Sequence, residues 1–358
     1  MSPRWLVVLL TAAALVVTPL VVGRRPAVVQ DLPVAELVSR ISASGSHGWS
    51  GSVSTTGGLQ VPDSDSFATL GTLLGENTRL RAWWRGAEDW RVDRIRSTGE
   101  TDLFRQGGTQ VRWVFESETA TVAPVSQVRL PDAPDLLPPT LGRFLLQGAR
   151  PEELAPLPAE RVAGVDAAGL RLRPAEPAST VDHVDVWADP DSGLPLRVEL
   201  FGREAARAVL TTTLTQVQLA PPAPETTRFR PPAQVRVDYE ESTDVAAAAN
   251  AFARYDLPAT LGGLASRGGR DPGAVGVYGR GPTTVIALPL RRQVAGPLRE
   301  RLSGSAAAEE SAEGTFAPVG PVGVLVTPGG FDRAAFLLAG TVTADTLLRA
   351  ARELEAAA

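Results

Sequence analysis

Apolar residues recur along this chain with two distinct periods. Val34, Leu37, Val38 and Ile41 stand at i, i+3, i+4 and i+7 behind the Asp31-Leu32-Pro33 stretch, which predicts one face of a short amphipathic helix. Beyond it the period drops to two. Trp83 and Trp84 sit in an Arg-rich strand, and Trp90-Arg91-Val92 opens another whose phase slips at Arg94-Ile95, which predicts a β-bulge there. After the turn signal Gly107-Gly108, Val111, Trp113 and Phe115 share one strand face, with Arg112 and Val114 on the other. Leu170 and Leu172 alternate with Arg171 and Arg173, and Leu194, Leu196, Val198 and Leu200 alternate with Pro195, Arg197, Glu199 and Phe201. About ten strands precede Pro221-Pro222, and alternation on this scale means an antiparallel sheet with one face covered and the other wet.

One segment interrupts the β region. Residues 136–146, Leu-Leu-Pro-Pro-Thr-Leu-Gly-Arg-Phe-Leu-Leu, read as helix, and the economical place for their apolar face is across the concave side of the sheet, beside the N-terminal helix. A second unit follows Pro231-Pro232. It offers an Ala-rich helix at 244–255, strands at 274–278 and 283–288, a helix at 292–302 and a low-complexity loop at 303–314. Strands at 322–327 and 334–339 and a closing helix at 344–354, capped by Thr343, complete it. The expected fold is α+β: an open antiparallel half-barrel covered by helices, then a small α+β domain. The expected divisions are 1–26 for an anchor or signal segment, 27–232 for the half-barrel and 233–358 for the second domain.

Charge and composition narrow the function. Residues 5–22 carry no charge, which is long enough to span a bilayer, so the first 26 residues read as an uncleaved anchor or a cleaved signal peptide. Arg4 on one flank and Arg24 and Arg25 on the other do not fix the orientation. A net charge of −5 argues against a nucleic-acid partner, although all 35 basic residues are Arg. The chain has no cysteine, which excludes disulfides, thiol catalysis and a lipidated N-terminal cysteine.

The segment Val184-Asp185-Val186-Trp187-Ala188-Asp189-Pro190-Asp191-Ser192-Gly193-Leu194-Pro195-Leu196-Arg197-Val198 resembles the paired-strand signature of LolA-like and RseB/MucB-like proteins. Arg161-Val162-Ala163-Gly164-Val165 upstream and Phe229-Arg230-Pro231-Pro232 downstream add to the likeness, which runs over residues 31–232. It implies an extracytoplasmic half-barrel that holds acyl chains or lipidated polypeptides. The two-domain layout is nearer to RseB, a guard of an anti-sigma factor, and the LppX/LprG lipid carriers share the architecture.

Candidate chemistry is sparse. His47 and His183 read as solvated polar residues, Ser50 and Ser52 lack the Gly-x-Ser-x-Gly elbow, and Asp189-x-Asp191 reads as a hairpin turn and not a calcium loop. No catalytic residue, metal site or cofactor is expected. The expected ligand-binding residues are Trp83, Trp113, Phe115, Leu141, Phe144, Leu145 and Trp187, lining an apolar cavity under the second helix. The dense run of Arg79, Arg81, Arg85, Arg91, Arg94 and Arg96 is either a solvated strand face or a surface for anionic head groups. The leading expectation is a non-enzymatic envelope protein holding a lipid or lipoprotein, tethered through its N-terminal helix. The alternative is a regulator docking an anti-sigma factor or another membrane protein.

Overall fold

The computed structural model describes residues 27–30, 32–58, 75, 77–125, 131–232, 235–239, 257–267, 275–329 and 334–357. The uncharged stretch 5–22 and the Ala-rich helix expected at 244–255 lie outside the described residues. Among the described residues, no helix is long and apolar enough to cross a membrane.

The first domain opens with helix α1, Val34–Ala43, which buries Leu37 and Ile41 as its periodicity predicts. Six strands then run antiparallel: β1 Trp49–Gly57, β2 Asn77–Gly86, β3 Asp89–Arg96, β4 Gly99–Gln106, β5 Thr109–Val114 and β6 Thr119–Pro124. A 3-10 turn, Ala133–Leu136, and helix α2, Pro138–Leu145, come next. Five more strands follow: β7 Leu154–Val162, β8 Val165–Leu172, β9 Val181–Ala188, β10 Pro195–Gly202 and β11 Leu210–Gln218. With β12, Arg236–Tyr239, they form one open twelve-stranded sheet in the order β12-β6-β5-β4-β3-β2-β1-β11-β10-β9-β8-β7. This is the open, helix-covered antiparallel sheet the alternation implied.

Two details depart from expectation. The bulge expected at Arg94-Ile95 is absent: β3 keeps continuous register with β2 through Leu80↔Arg94 and Arg79↔Ile95, and the irregularity lies at Trp84/Gly86. The phase of the strand never slips. It carries an arginine onto the apolar face instead. The first sheet also runs past the expected boundary at 232, because β12 pairs with β6 in parallel. The chain reaches that edge by folding over the convex side, where Phe229 packs on Phe104 and Trp113 with ring centroids 5.2 and 6.1 Å apart.

In the second domain a two-strand ladder, β13 Thr260–Leu261 with β14 Leu264–Ala265, precedes β15 Gly276–Arg280 and β16 Thr283–Leu290. Helix α3, Arg292–Ser303, leads to β17 Glu309–Ser311, β18 Gly314–Val319, β19 Val322–Val326 and β20 Ala335–Gly340, and α4, Ala344–Ala357, closes the chain. The six-stranded sheet β15-β16-β20-β19-β18-β17 is covered by α4 through Leu347, Ala350, Ala351 and Leu354, and by α3 through Ala295 and Leu302. The hairpin of β17 with β18 occupies part of the stretch expected to be loop, where Ala, Glu, Ser and Pro hide the alternation.

The domains meet along an ionic and backbone seam. Arg280 donates to Glu153 through Nη1 and Nη2 at 2.7 and 2.6 Å, to Glu176 at 2.6 Å and to the Gly148 carbonyl at 2.7 Å. Ser179 bridges Val342, flanked by Thr180 N–H to Thr341 O at 3.1 Å and Thr343 N–H to Ala178 O at 2.9 Å. Burial alone would raise the Glu153 pKa. The hydrogen bonds from Arg280 and from the Ala175 and Arg150 N–H groups outweigh it and hold Glu153 down to about 2.

Candidate ligand-binding face

The concave face is best read as rows across neighbouring strands. Trp49, Trp84 and Trp90 pair across β1, β2 and β3 to form the first row. The next row is Gly51, Ala82, Val92 and Leu103, continued by Arg112 on β5. The third is Val53, Leu80, Arg94 and Thr101. Trp84 and Trp90 stack with ring planes 2° apart and centroids at 5.8 Å. Small residues in the middle row lie between larger ones, so the apolar layer is dished, and its far side is bordered by guanidinium groups.

A roof lies over this layer. Asp132 starts it by capping the 3-10 turn: its Oδ1 accepts from Ala133 N–H at 2.7 Å, and Asp135 returns the contact to Asp132 N–H at 2.7 Å. Arg112 Nη2 donates to Asp132 Oδ2 at 2.5 Å, tying the start of the roof to β5. Thr212 Oγ1 donates to the Leu136 carbonyl at 2.7 Å and ties its middle to β11. Pro138 and Pro139 begin α2 where their missing N–H groups cost nothing, and Gly142 lets the helix settle closely on Pro195 and Val198 of β10. Leu136, Leu137 and Leu141 belong to the cluster with Trp49, Trp84, Trp90 and Trp187, and Leu145 and Leu146 pack with Leu37, Ile41, Val184 and Val198. In this state the protein's own leucines fill the space under the roof.

The expected ligand residues divide. Leu141 and Leu145 do lie on the concave side under α2. Phe144 does not: it is 46% exposed and turned to the second domain, with the Arg267 guanidinium over its ring at 5.1 Å. Trp83 pairs with Arg91 on the convex face, where Arg91 covers its ring at 5.1 Å. Trp113 shares that convex side with Phe104 and Val111 under Phe229, and Phe115, 65% exposed, lies past the end of β5. Trp187 is buried on the side of β9 opposite Val184 and Val186; its indole N–H donates to Pro158 O at 3.1 Å and Arg197 lies over its ring. Trp83, Trp113, Phe115 and Phe144 therefore do not line one cavity with Leu141 and Leu145, while Trp187 shares a buried cluster with Leu136, Leu137 and Leu141. The residues that sequence reasoning missed are Trp49, Trp84 and Trp90. The signal that could have found them is strand phase: in Trp83-Trp84 only one of two neighbours can face inward, and Leu80, Ala82 and Trp84 are the apolar set.

The convex side holds a charge cluster. Asp93 and Asp102 face each other across β3 and β4, and Arg91 donates to both, at 2.6 and 2.9 Å to Asp93 and 2.9 Å to Asp102. Burial, then the charge of Asp93, pushes Asp102 up to about 7 against the pull of Arg91. Asp93 is raised as well, chiefly by burial. With Glu100, these carboxylates bring oxygens within 4.8 Å of one another. Arg91 already stands among them as the balancing cation. His183 is held by Asp182, Nδ1 to Oδ2 at 2.5 Å, and stacked on Phe201, a structural arrangement. In the Asp189 turn, the carboxylate accepts from Ser192 N–H at 2.9 Å, as a hairpin loop requires.

No protein-family model matches this chain, and no curated protein does. Solved structures do. A MucA/MucB complex from Pseudomonas aeruginosa is 17% identical with a TM-score of 0.48, covering 89% of this chain and 96% of that one. A structure of MucB is 16% identical at a TM-score of 0.45, with 89% and 96% covered. A LolA superfamily protein from Nitrosomonas europaea is 12% identical at a TM-score of 0.26, covering 56% of this chain and 99% of that one. With identities of 12–17% and TM-scores below 0.5, these are resemblances of overall chain course, and nothing about this chain's family or role follows from them.

Proposed function

We propose that this chain is a non-enzymatic binding protein of the cell envelope that holds an acyl chain of a lipid or lipoprotein against the Trp49, Trp84 and Trp90 face, beneath α2. The observation that carries this reading is the construction of the roof. The inner layer of the sheet is apolar across three strands, yet it is closed by an eight-residue helix and a 3-10 turn inserted between β6 and β7. A roof that takes no part in the sheet's hydrogen-bond ladder can lift without breaking the sheet, and an acyl chain then takes the place of Leu136, Leu137 and Leu141. The driving force is burial, about 25 cal/mol per Å² of apolar surface before ordering costs. The uncharged residues 5–22 serve as the membrane tether or export signal, with the body outside the cytoplasm.

The test is mass spectrometry of organic-solvent extracts from the full chain purified out of bacterial membranes. A defined lipid near one per chain supports the reading. Its absence from every preparation refutes it and favours docking of a membrane protein, such as an anti-sigma factor, as the function of the same two-domain body.

A further inference from the structure

Arg94 is the exception on the concave face. Its neighbours in the inward phase of β3 are Trp90 and Val92, it pairs with Leu80 and Thr101, and it is only 5% exposed. Its Nε and Nη1 are buried without a hydrogen-bond partner. The carboxylate whose field reaches it is Asp132, and that group is engaged elsewhere, by Arg112 and by the N–H of Ala133. Two guanidinium groups and one carboxylate therefore meet at the border of the apolar layer. A buried ion is ordinarily paired or hydrogen-bonded, because desolvation of a lone charge is strongly unfavourable. The guanidinium fork fits an anionic oxygen group, carboxylate or phosphate, better than any other partner.

Resting on the lipid-holding reading above, we propose that Arg94, with Arg112 beside it, anchors the anionic head of the bound lipid while its chain runs along the tryptophan face. The distance suits this. From Arg94 to Trp90 along β3 is roughly 13 Å at a rise of about 3.3 Å per residue, so one end of the site is charged and the other aromatic. The anion supplies the partner that the surrounding side chains do not offer Arg94, and it competes with Asp132 for Arg112. Arg94 thus discriminates between charged and neutral lipids of equal chain length.

The experiment uses the full chain in non-ionic detergent at pH 9, titrated with oleate, with oleyl alcohol and with sodium acetate, and followed by tryptophan fluorescence. Oleate is expected to bind about tenfold or more tightly than oleyl alcohol. Arg94→Met should bring oleate down to the level of the alcohol and leave the alcohol unchanged, while Arg94→Lys retains part of the preference. If Arg94→Met fails to fold, Arg112→Gln, at a half-exposed position, serves instead and should weaken oleate alone. Equal affinities in the unmodified chain, or discrimination that survives loss of Arg94, overturn the anchor and leave the lipid-holding reading standing. An Arg94-dependent response to acetate matching that to oleate assigns the site to a free anion and overturns the lipid head. Binding of neither lipid overturns both readings.

Discussion

Replacing Asp102 by Asn should stabilise the first domain, and by more as the pH rises. The unfolded chain releases this proton near the ordinary value of 3.8, whereas the folded protein holds it to about 7, because the side chain is buried and faces Asp93. Between those limits the native state binds more protons than the unfolded state, so stability falls as pH increases through the window. Above about pH 7 the full penalty is present; below about pH 4 it is gone. A shift of about three pK units at 1.36 kcal/mol each sets an upper bound of about 4 kcal/mol. The Asn variant should therefore gain about 1 kcal/mol near pH 5 and about 2–4 kcal/mol near pH 8. The Asn carbonyl oxygen can still accept from Arg91, whose Nη2 stands 2.9 Å from Asp102 Oδ2, so the exchange removes charge and keeps the contact.

Urea unfolding followed by tryptophan fluorescence isolates this domain. Trp49, Trp83, Trp84, Trp90, Trp113 and Trp187 all lie in its sheet, and there is no tryptophan after residue 187. The comparison is the difference in unfolding free energy between the two proteins at pH 5, 6.5 and 8. A difference that is flat across that range, or a variant less stable at pH 8, would refute the proposed cost of ionising Asp102.

Further outcomes test the roof and the seam. A Cβ placed on Gly142 would stand 3.0 Å from Pro195 Cβ, close to disulfide range, so Gly142→Cys with Pro195→Cys should lock α2 to β10 when oxidised. Acyl-lipid uptake should fall about tenfold and return on reduction; uptake indifferent to the bond would show that α2 does not move. Glu153→Gln should weaken domain docking by about 2–3 kcal/mol at pH 7, since the native carboxyl is held near 2, well below its unfolded value, and its contribution disappears only as pH falls through that range. An unchanged radius of gyration in solution scattering and an unchanged melt would count against the seam. Leu37→Ala, at a site 2% exposed under α1, should cost about 2–4 kcal/mol in the same urea experiment. A loss below about 1 kcal/mol would mean α1 is not part of the cooperative unit.

Period two in Leu194, Leu196, Val198 and Leu200, and period 3.6 in Val34, Leu37, Val38 and Ile41, were enough to place β10 and α1, because each element buries one face against the same layer. What alternation does not record is which side of a strand becomes the concave one. Trp83 and Trp84 are equally apolar; Trp84 is selected by the phase it shares with Leu80 and Ala82 along β2 and by its pairing with Trp90 across the hairpin to β3. Trp113 was legible as buried, but its cover is Phe229, more than a hundred residues later, on the convex side. The hairpin of β17 with β18 and the parallel strand β12 were hidden for a related reason, since Pro318 and the short run at 236–239 carry little periodic signal.

Arg94 is the instructive case. Counted as a pattern violation it implies a bulge, because a charged residue in the apolar phase is cheaper to explain by shifting the phase than by burying the charge. The hydrogen-bond ladder keeps its register regardless, since Leu80, Arg94 and Thr101 sit opposite one another between well-formed pairs on both sides. An uninterrupted strand that delivers an unpaired guanidinium to an apolar face is a local conflict that packing alone would remove by substitution. Where local rules and global fold disagree in this way, the compensating interaction is to be sought in what the protein binds. The register that carries Arg94 onto the apolar face and the proposed head-group anchor therefore rest on one observation, and the oleate titration with Arg94→Met tests the anchor.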